Sequence, residues 1–230
     1  MIDKVYPSPA AAIEDVFDGA TIMIGGFASA GTPTELILAL CEQGTRDLTA
    51  IANNIGLGDK LDTLCEKRQI KRLVASFAIR PSAKHRSRFQ SLYEAGEVEL
   101  EVVPQGTLAE RIRAGGAGIP AFYTPTGVGT VISEGKETRE FDGRRYLMER
   151  ALTADFAFVR AYKGDRLGNL IYRKAGRNFN EPMAMAAKVT IAEVEEIVEP
   201  GELDPEHVVT PGIFVQRIVQ APSHDVRWFN

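Results

Sequence analysis

Residues 18–33 read Asp-Gly-Ala-Thr-Ile-Met-Ile-Gly-Gly-Phe-Ala-Ser-Ala-Gly-Thr-Pro, and the reading of this stretch decides the fold. Ala20 to Ile24 has the length and apolar character of a short buried strand. It runs into a glycine pair, then into a loop that leads to a helix. Thr32 is placed to cap that helix, Pro33 to occupy its first position, where no N–H is needed, and Glu35 to complete a T-x-x-E capping box. Gly25 and Gly26 lack Cβ, so the backbone there can turn sharply and come close to a ligand. A strand–glycine loop–helix unit near the start of an α/β chain puts its loop at the carboxyl edge of the sheet, where ligands bind. A plain tight connection is the alternative.

The stretch does not spell a dinucleotide site. Its pattern is G-G-F-x-x-x-G-x-P, neither G-x-G-x-x-G nor a phosphate loop, because no G-K-[S/T] follows. The second expected strand ends in Asn53-Asn54, where a dinucleotide fold would place an acidic residue for the ribose. Glu35 near the helix start would also repel a pyrophosphate.

Composition narrows the classes. The chain has 230 residues, is 44% hydrophobic and 25% charged, and carries a formal net charge of −4. That length supports one sizeable core. The acidic balance argues against a nucleic-acid surface. Basic residues gather at Lys71-Arg72 and from Lys84 to Arg88, as on a solvated face of one sheet edge. Cys41 and Cys65 stand apart without C-x-x-C spacing, which suits reduced thiols in a cytoplasmic protein. Cys41 falls on the apolar side of its helix, so packing is expected there rather than reactivity. Met1 to Lys4 leads into a Pro/Ala-rich amphipathic helix, with no signal peptide and no apolar run of membrane-spanning length. His85, His207 and His224 are scattered without metal-ligand spacing.

Strands and helices alternate through the first half. Strands are expected at 20–24, 47–52, 70–77 and 98–103, and helices at 33–43, 60–67, 82–95 and 106–114, the last with Glu110, Arg111 and Arg113 exposed. Such alternation predicts an α/β fold, an open and mostly parallel sheet with helices on both faces. The second half changes character. Residues 115–129 are dense in Gly, Pro and Thr and read as irregular. Glu137 to Met148 alternates about Asp142-Gly143, a strong signal for an added β-hairpin. Ala154 to Val159 and Val189 to Val198 read as strands, and Asn180 to Lys188 as a short helix. No repeat or linker divides the chain, which predicts a single domain over 1–230.

Three further segments hold candidate chemistry. Asn53-Asn54-Ile55-Gly56 ends the second strand; it can be a turn, or it can present an amide to a carboxylate or carbonyl. Gln105, at the end of the fourth strand, would add a second amide at the same edge. Gly115 to Gly118, with Thr124 to Thr130 after it, can offer backbone N–H groups to an anion or serve as tight connections.

Taken with Pro104 to Gly118, Glu134-Gly135-Lys136-Glu137, Gly168 to Arg173, Gly176 to Asn180 and Val209 to Val215, the opening stretch closely resembles the A subunit (the alpha chain) of the family I CoA-transferases, the 3-oxoacid CoA-transferase type. The resemblance runs from about residue 4 to about residue 220 and implies the CoA-transferase/NagB-like fold. It implies that Gly25, Gly26, Phe27, Ala28, Ser29, Ala30 and Gly31 bind coenzyme A, and that Asn54 and Gln105 contact substrate. Two departures stand out. The family often has Gly where Ala28 follows Phe27, and residues 78–88 follow neither the short-chain nor the 3-oxoadipate pattern. Arg80 there is placed either to pair with a distal carboxylate of a dicarboxylic substrate or to sit at the surface.

Enzymes of this family move CoA between carboxylic acids through a glutamyl-CoA thioester. The attacking glutamate lies in a Ser-Glu-Asn-Gly motif, and a weak carboxylate nucleophile needs exclusion of water and oxyanion stabilisation. Glu134 in Ser133-Glu134-Gly135-Lys136 lacks the Asn, so it is not expected to be the nucleophile. The resemblance implies that no catalytic residue lies in this chain and that a CoA-transferase B subunit supplies the glutamate within a cytoplasmic hetero-oligomer. CoA passes as the thioester substrate, with no tightly bound cofactor and no metal. Succinyl-CoA or acetyl-CoA is the implied donor; acetoacetate or 3-oxoadipate, acids of ketone-body or aromatic degradation, the implied acceptor. A CoA-binding or regulatory module without turnover, and one chain of an acyl-CoA hydrolase, are the competing expectations.

Overall fold

The computed structural model describes residues 3–79 and 86–221, so Arg80, Lys84, His85 and His224 lie outside the described residues. In chain order its elements are α1 (Pro9–Ala12), β1 (Thr21–Ile24), α2 (Thr34–Gln43), β2 (Leu48–Asn54), α3 (Asp62–Glu66), β3 (Ile70–Phe77), α4 (Arg88–Glu94), β4 (Glu99–Val102) and α5 (Gln105–Gly116). There follow β5 (Ala121–Thr124), β6 (Thr138–Phe141), β7 (Arg144–Arg150), β8 (Ala154–Asp165), β9 (Leu170–Ile171), α6 (Asn180–Met185), β10 (Ala187–Val198) and β11 (Arg217–Gln220).

The main sheet runs β11-β10-β8-β1-β2-β3-β4, with β9 added antiparallel to β8. Every other pairing in it is parallel. Both of its faces are covered, which is why its strands are continuous apolar runs. Side chains alternate across the pleat. Ile22, Ile24, Ala50, Leu73 and Phe158 face one core with Leu36, Leu40 and Phe89 of the helices. Met23, Ile51, Val74 and Val159 face the other, with Leu108, Ile112 and Met183 of α5 and α6. The expected parallel sheet with helices on both faces is what the chain forms.

From β1 the chain steps outward through β2, β3 and β4, and later returns to β1's other side through β8, β10 and β11. The order reverses between β1 and β8, whose register pairs Ile24 with Phe158. The carboxyl end of such a reversal opens a crevice, and the Gly25–Gly31 loop leaves β1 there.

The expected hairpin is present as β6–β7. Asp142 and Gly143 take φ of 49° and 75°, positive at both central positions as a two-residue turn of this hand demands. β5 joins it in a three-stranded antiparallel sheet. Residues 115–129 are therefore less irregular than their composition suggests: they hold the end of α5 and the strand β5. Several other bounds shift as well. The N-terminal helix shrinks to α1, the second strand continues to Asn54, Gln105 opens α5 rather than closing β4, and Ala187 and Lys188 belong to β10.

Arg111 corrects the expected exposed face of α5, because it is buried. Its guanidinium donates to Glu101 Oε1 on β4 at 2.6 Å and to the Arg150 carbonyl on β7 at 2.8 Å. A buried arginine persists only with such partners, and this one ties α5 to both sheets. The surface basic residues are paired too, Arg72 with Glu101 and Arg86 with Glu94.

Candidate functional site

The glycine loop turns tightly, with Phe27 and Ala30 exchanging backbone hydrogen bonds at 3.0 Å. Ala28, at the tip, has φ of 52°, a left-handed conformation that costs a residue with Cβ about 1 kcal/mol. The glycines answer to the fold itself. A Cβ on Gly25 would lie 1.9 Å from Asn180 Oδ1. One on Gly31, whose φ is 69°, would lie 2.7 Å from both Asn180 Nδ2 and the Gly176 carbonyl. The space a side chain would take is thus filled by the turn at residues 176–180.

The start of α2 differs from the expected capping box. Thr32 Oγ1 donates back to the Ala28 carbonyl, and the residue at the cap position is Pro33, which makes no side-chain capping bond. The cap comes from β10. Glu193 Oε2 accepts from Glu35 N at 2.8 Å and Leu36 N at 3.1 Å, while Oε1 pairs with Arg160 of β8. Glu193 is fully buried. Burial pushes its carboxyl up to about 7, against the downward pull of Arg160 and the two N–H groups. Nothing local announces a cap 158 residues away in sequence.

Beside the loop, three strand ends are linked by a run of amides. Gln105 Nε2 donates to Asn53 Oδ1 at 2.8 Å, and Asn53 Nδ2 to Asn54 Oδ1 at 2.9 Å. Asn54 Oδ1 also accepts from Ala28 N at 2.8 Å, so the run reaches the glycine loop. Asn54 Nδ2 donates to Asp59 Oδ2 at 2.6 Å. Asn54 and Gln105, expected at neighbouring strand ends, are linked through Asn53, and of the two only Asn54 lines the small pocket beside the loop; Asp59 was not expected there. That carboxylate is buried and accepts from Gly56 N, Leu57 N and Leu61 N as well. Burial raises its pKa, opposed by those four donors. An Asp closing a G-x-G-D run just after a strand is the signal that marked it, since Asp commonly folds its own turn.

Gly25, Gly26, Ala28, Asn53, Asn54 and Asp59 line a small pocket with room for about one water. Phe27 stands exposed at its rim. Gln105 Nε2 gives one of its two N–H groups to Asn53, and its oxygen has no hydrogen-bond partner among the described residues. Gly115 to Gly118 is not brought here, because the 12-residue α5 carries it about 18 Å from Gln105. Glu134 is exposed in the turn before β6 and does not line the pocket. Burial pushes the Cys65 thiol up and keeps it inert. Among the described residues no group of three His, Cys, Asp or Glu is arranged to hold a metal, and no helix is long and apolar enough to cross a membrane.

A family model described as coenzyme A transferase matches residues 6–221. The chain is 58% identical over 220 residues to the A subunit of the 3-oxoadipate CoA-transferase of Pseudomonas putida, covering 95% of this chain and 94% of that one. It is 48% identical over 227 residues to the A subunit of the succinyl-CoA:3-ketoacid coenzyme A transferase of Helicobacter pylori strain J99, covering 98% and 96%. Among solved structures, the acyl-CoA transferase of Escherichia coli O157:H7, a thioester complex with CoA, superposes with a TM-score of 0.82 at 23% identity over 97% of this chain. This chain spans 48% of that protein's length. The glutaconate coenzyme A-transferase of Acidaminococcus fermentans superposes with a TM-score of 0.83 at 23% identity, covering 95% of this chain and 76% of that one. At such identity the two structures speak for the fold alone.

Proposed function

The chain belongs to the coenzyme A transferase family, and on that premise we propose that it is the A subunit of a 3-oxoacid CoA-transferase, one wall of an active site completed by a B subunit. The observation that carries this reading is what two buried carboxylates are doing, Asp59 in the pocket lining and Glu193 at the start of α2. A nucleophile needs a free lone pair aimed at the thioester. Both oxygens of Asp59 are taken by four donors, and both oxygens of Glu193 by Arg160 and the start of α2. That agrees with what the family resemblance implies, an attacking glutamate on the partner, and in this reading the covalent glutamyl-CoA forms there.

In this reading the residues of the present chain bind and orient. The Gly25–Gly31 loop holds the acyl-CoA at the sheet's switch point, Ala28 being fixed by Asn54. Gln105, beside Asn53, gives Asn53 one of its two Nε2 N–H groups, and the other is the donor that meets the carboxylate of the acid substrate. Asn54 lines the pocket but spends its own polar atoms inside the fold, so its contribution passes through the loop it holds. The edge also offers something for a partner to cover. Phe27, Leu57, Phe77 and Ile79 are exposed at or just after the ends of β1, β2 and β3. Apolar surface gathered at one place marks an interaction site. The B subunit seated there would exclude water from the thioester.

The test is to assay this chain alone and with a homologous chain carrying Ser-Glu-Asn-Gly, using succinyl-CoA or acetyl-CoA with acetoacetate or 3-oxoadipate. Transfer only in the mixture supports the reading. Appreciable transfer by this chain alone overturns it. CoA binding without any gain from the partner points instead to a non-catalytic CoA module, and release of free CoA without an acceptor points to a hydrolase.

A further inference from the structure

The glycine loop is held from two sides, and only one of them lines the pocket. On the β2 side Asn54 fixes Ala28. On the other, two asparagines of one turn hold successive carbonyls at the loop's exit. Asn178 Nδ2 donates to the Ala30 carbonyl at 3.0 Å, and Asn180 Nδ2 to the Gly31 carbonyl at 2.9 Å. Asn180 is wholly buried. Its Oδ1 accepts from Arg160 N at 2.9 Å, and its Nδ2 also reaches the Gly176 carbonyl at 2.8 Å. The same side chain occupies the Cβ space of both Gly25 and Gly31. It thus joins β8, the turn at 176–180 and both ends of the loop across the sheet's switch point.

We propose that Asn180, with Asn178 as its lesser companion, is a positioning residue that sets the loop's shape and thereby the affinity for acyl-CoA; this rests on the reading of the loop as the CoA-binding wall. Neither residue lines the pocket, so each acts through the loop's backbone. Asn180→Asp replaces a donor by an oxygen that faces two carbonyls, which releases the exit of the loop. Asn178→Ala removes one loop contact from a half-buried site, together with two bonds inside its own turn, to the Ala175 carbonyl and from Phe179 N, and leaves the buried Asn180 in place.

The experiment is steady-state kinetics of the assembled two-chain complex with succinyl-CoA and acetoacetate. Losing one or two such hydrogen bonds should raise KM for the acyl-CoA about tenfold in Asn180→Asp and about fivefold in Asn178→Ala. The KM for the acceptor acid and kcat should stay within about twofold, since binding rather than chemistry is disturbed. A merely structural role lowers kcat with the active fraction and leaves KM where it was, which overturns the proposal. If Asn180→Asp does not fold, Asn178→Ala decides alone. If the wild-type complex shows no transfer, the functional reading has failed, and calorimetry with free coenzyme A still judges this inference. Weaker binding by Asn178→Ala upholds it; equal binding, or none by the wild type, overturns it.

Discussion

Gly25→Ala is the sharpest steric probe of the site, because φ at Gly25 is not positive and the backbone itself would accept alanine. The new Cβ would stand 1.9 Å from Asn180 Oδ1 and 2.7 Å from Asn180 Cγ. No rotamer adjustment of a fully buried side chain absorbs that, so Asn180 must leave its place. Three hydrogen bonds go with it, to Arg160 N, the Gly31 carbonyl and the Gly176 carbonyl. At about 1 kcal/mol each, with buried backbone groups left unpaired, the loss is about 3–5 kcal/mol. The alanine returns under about 1 kcal/mol through the unfolded chain. A net loss of about 3 kcal/mol lowers Tm by about 6–12 °C in a chain of this size, read by calorimetry or by the shift of the urea midpoint. Gly106→Ala is the control. Its Cβ would meet nothing within 4 Å, and it lies in the first turn of α5. Alanine there should stabilise by about 0.5–1 kcal/mol. The double variant Gly25→Ala/Asn180→Ala should be no less stable than Asn180→Ala alone, since the clash is gone. A loss under about 1 kcal/mol in Gly25→Ala, or additive losses in the double variant, would refute the claim that Asn180 is why residue 25 is glycine.

Two other perturbations address the buried carboxylates. Glu193 is raised from an ordinary 4.5 to about 7 in the folded chain, so the native state holds its proton more tightly than the unfolded one. Its stabilising contribution is therefore full below about pH 4.5 and declines as pH rises to about 7, by up to about 3 kcal/mol. Glu193→Gln removes this titration: the stability difference between wild type and variant should shrink from pH 5 to pH 8 in urea melts, and a difference independent of pH would contradict the assignment. For Asp59→Asn, one amide oxygen must serve four donors that now share two, and the new NH2 faces the others. That should cost about 2–4 kcal/mol, and an unchanged urea midpoint would show that Asp59 does not organise the segment after β2.

What the sequence disclosed and what it concealed divide along sequence distance. Ile22 to Ile24, Ala50 to Ala52 and Leu73 to Ala75 announce two-sided burial within a few residues, so the parallel sheet was readable. Asp142-Gly143 announces its turn in two residues because only such residues tolerate positive φ in succession. The amide edge was readable in part, since Asn54 and Gln105 each follow a strand whose direction fixes where it ends. The cap of α2 was not readable: Thr32 satisfies the local pattern, but its hydroxyl turns back to Ala28, and a buried carboxylate on β10 takes the N–H groups of Glu35 and Leu36. The glycine pair was read as leaving room for a ligand, whereas at Gly25 that room belongs to Asn180, 155 positions later by the numbering. Arg111 was read as exposed because charge usually is, and only the meeting of α5, β4 and β7 shows the carbonyl and carboxylates that hold it. β5 is four residues whose pairing with β7 alone makes it a strand.

The central claim is that this chain binds while its partner does the covalent chemistry. The direct measurement is mass spectrometry of the assembled complex after incubation with acyl-CoA in the absence of an acceptor acid. The expected result is a CoA thioester on a glutamate of the partner chain and an unmodified mass for this one. Covalent CoA on Glu134, Asp59 or any other carboxylate of this chain would contradict it.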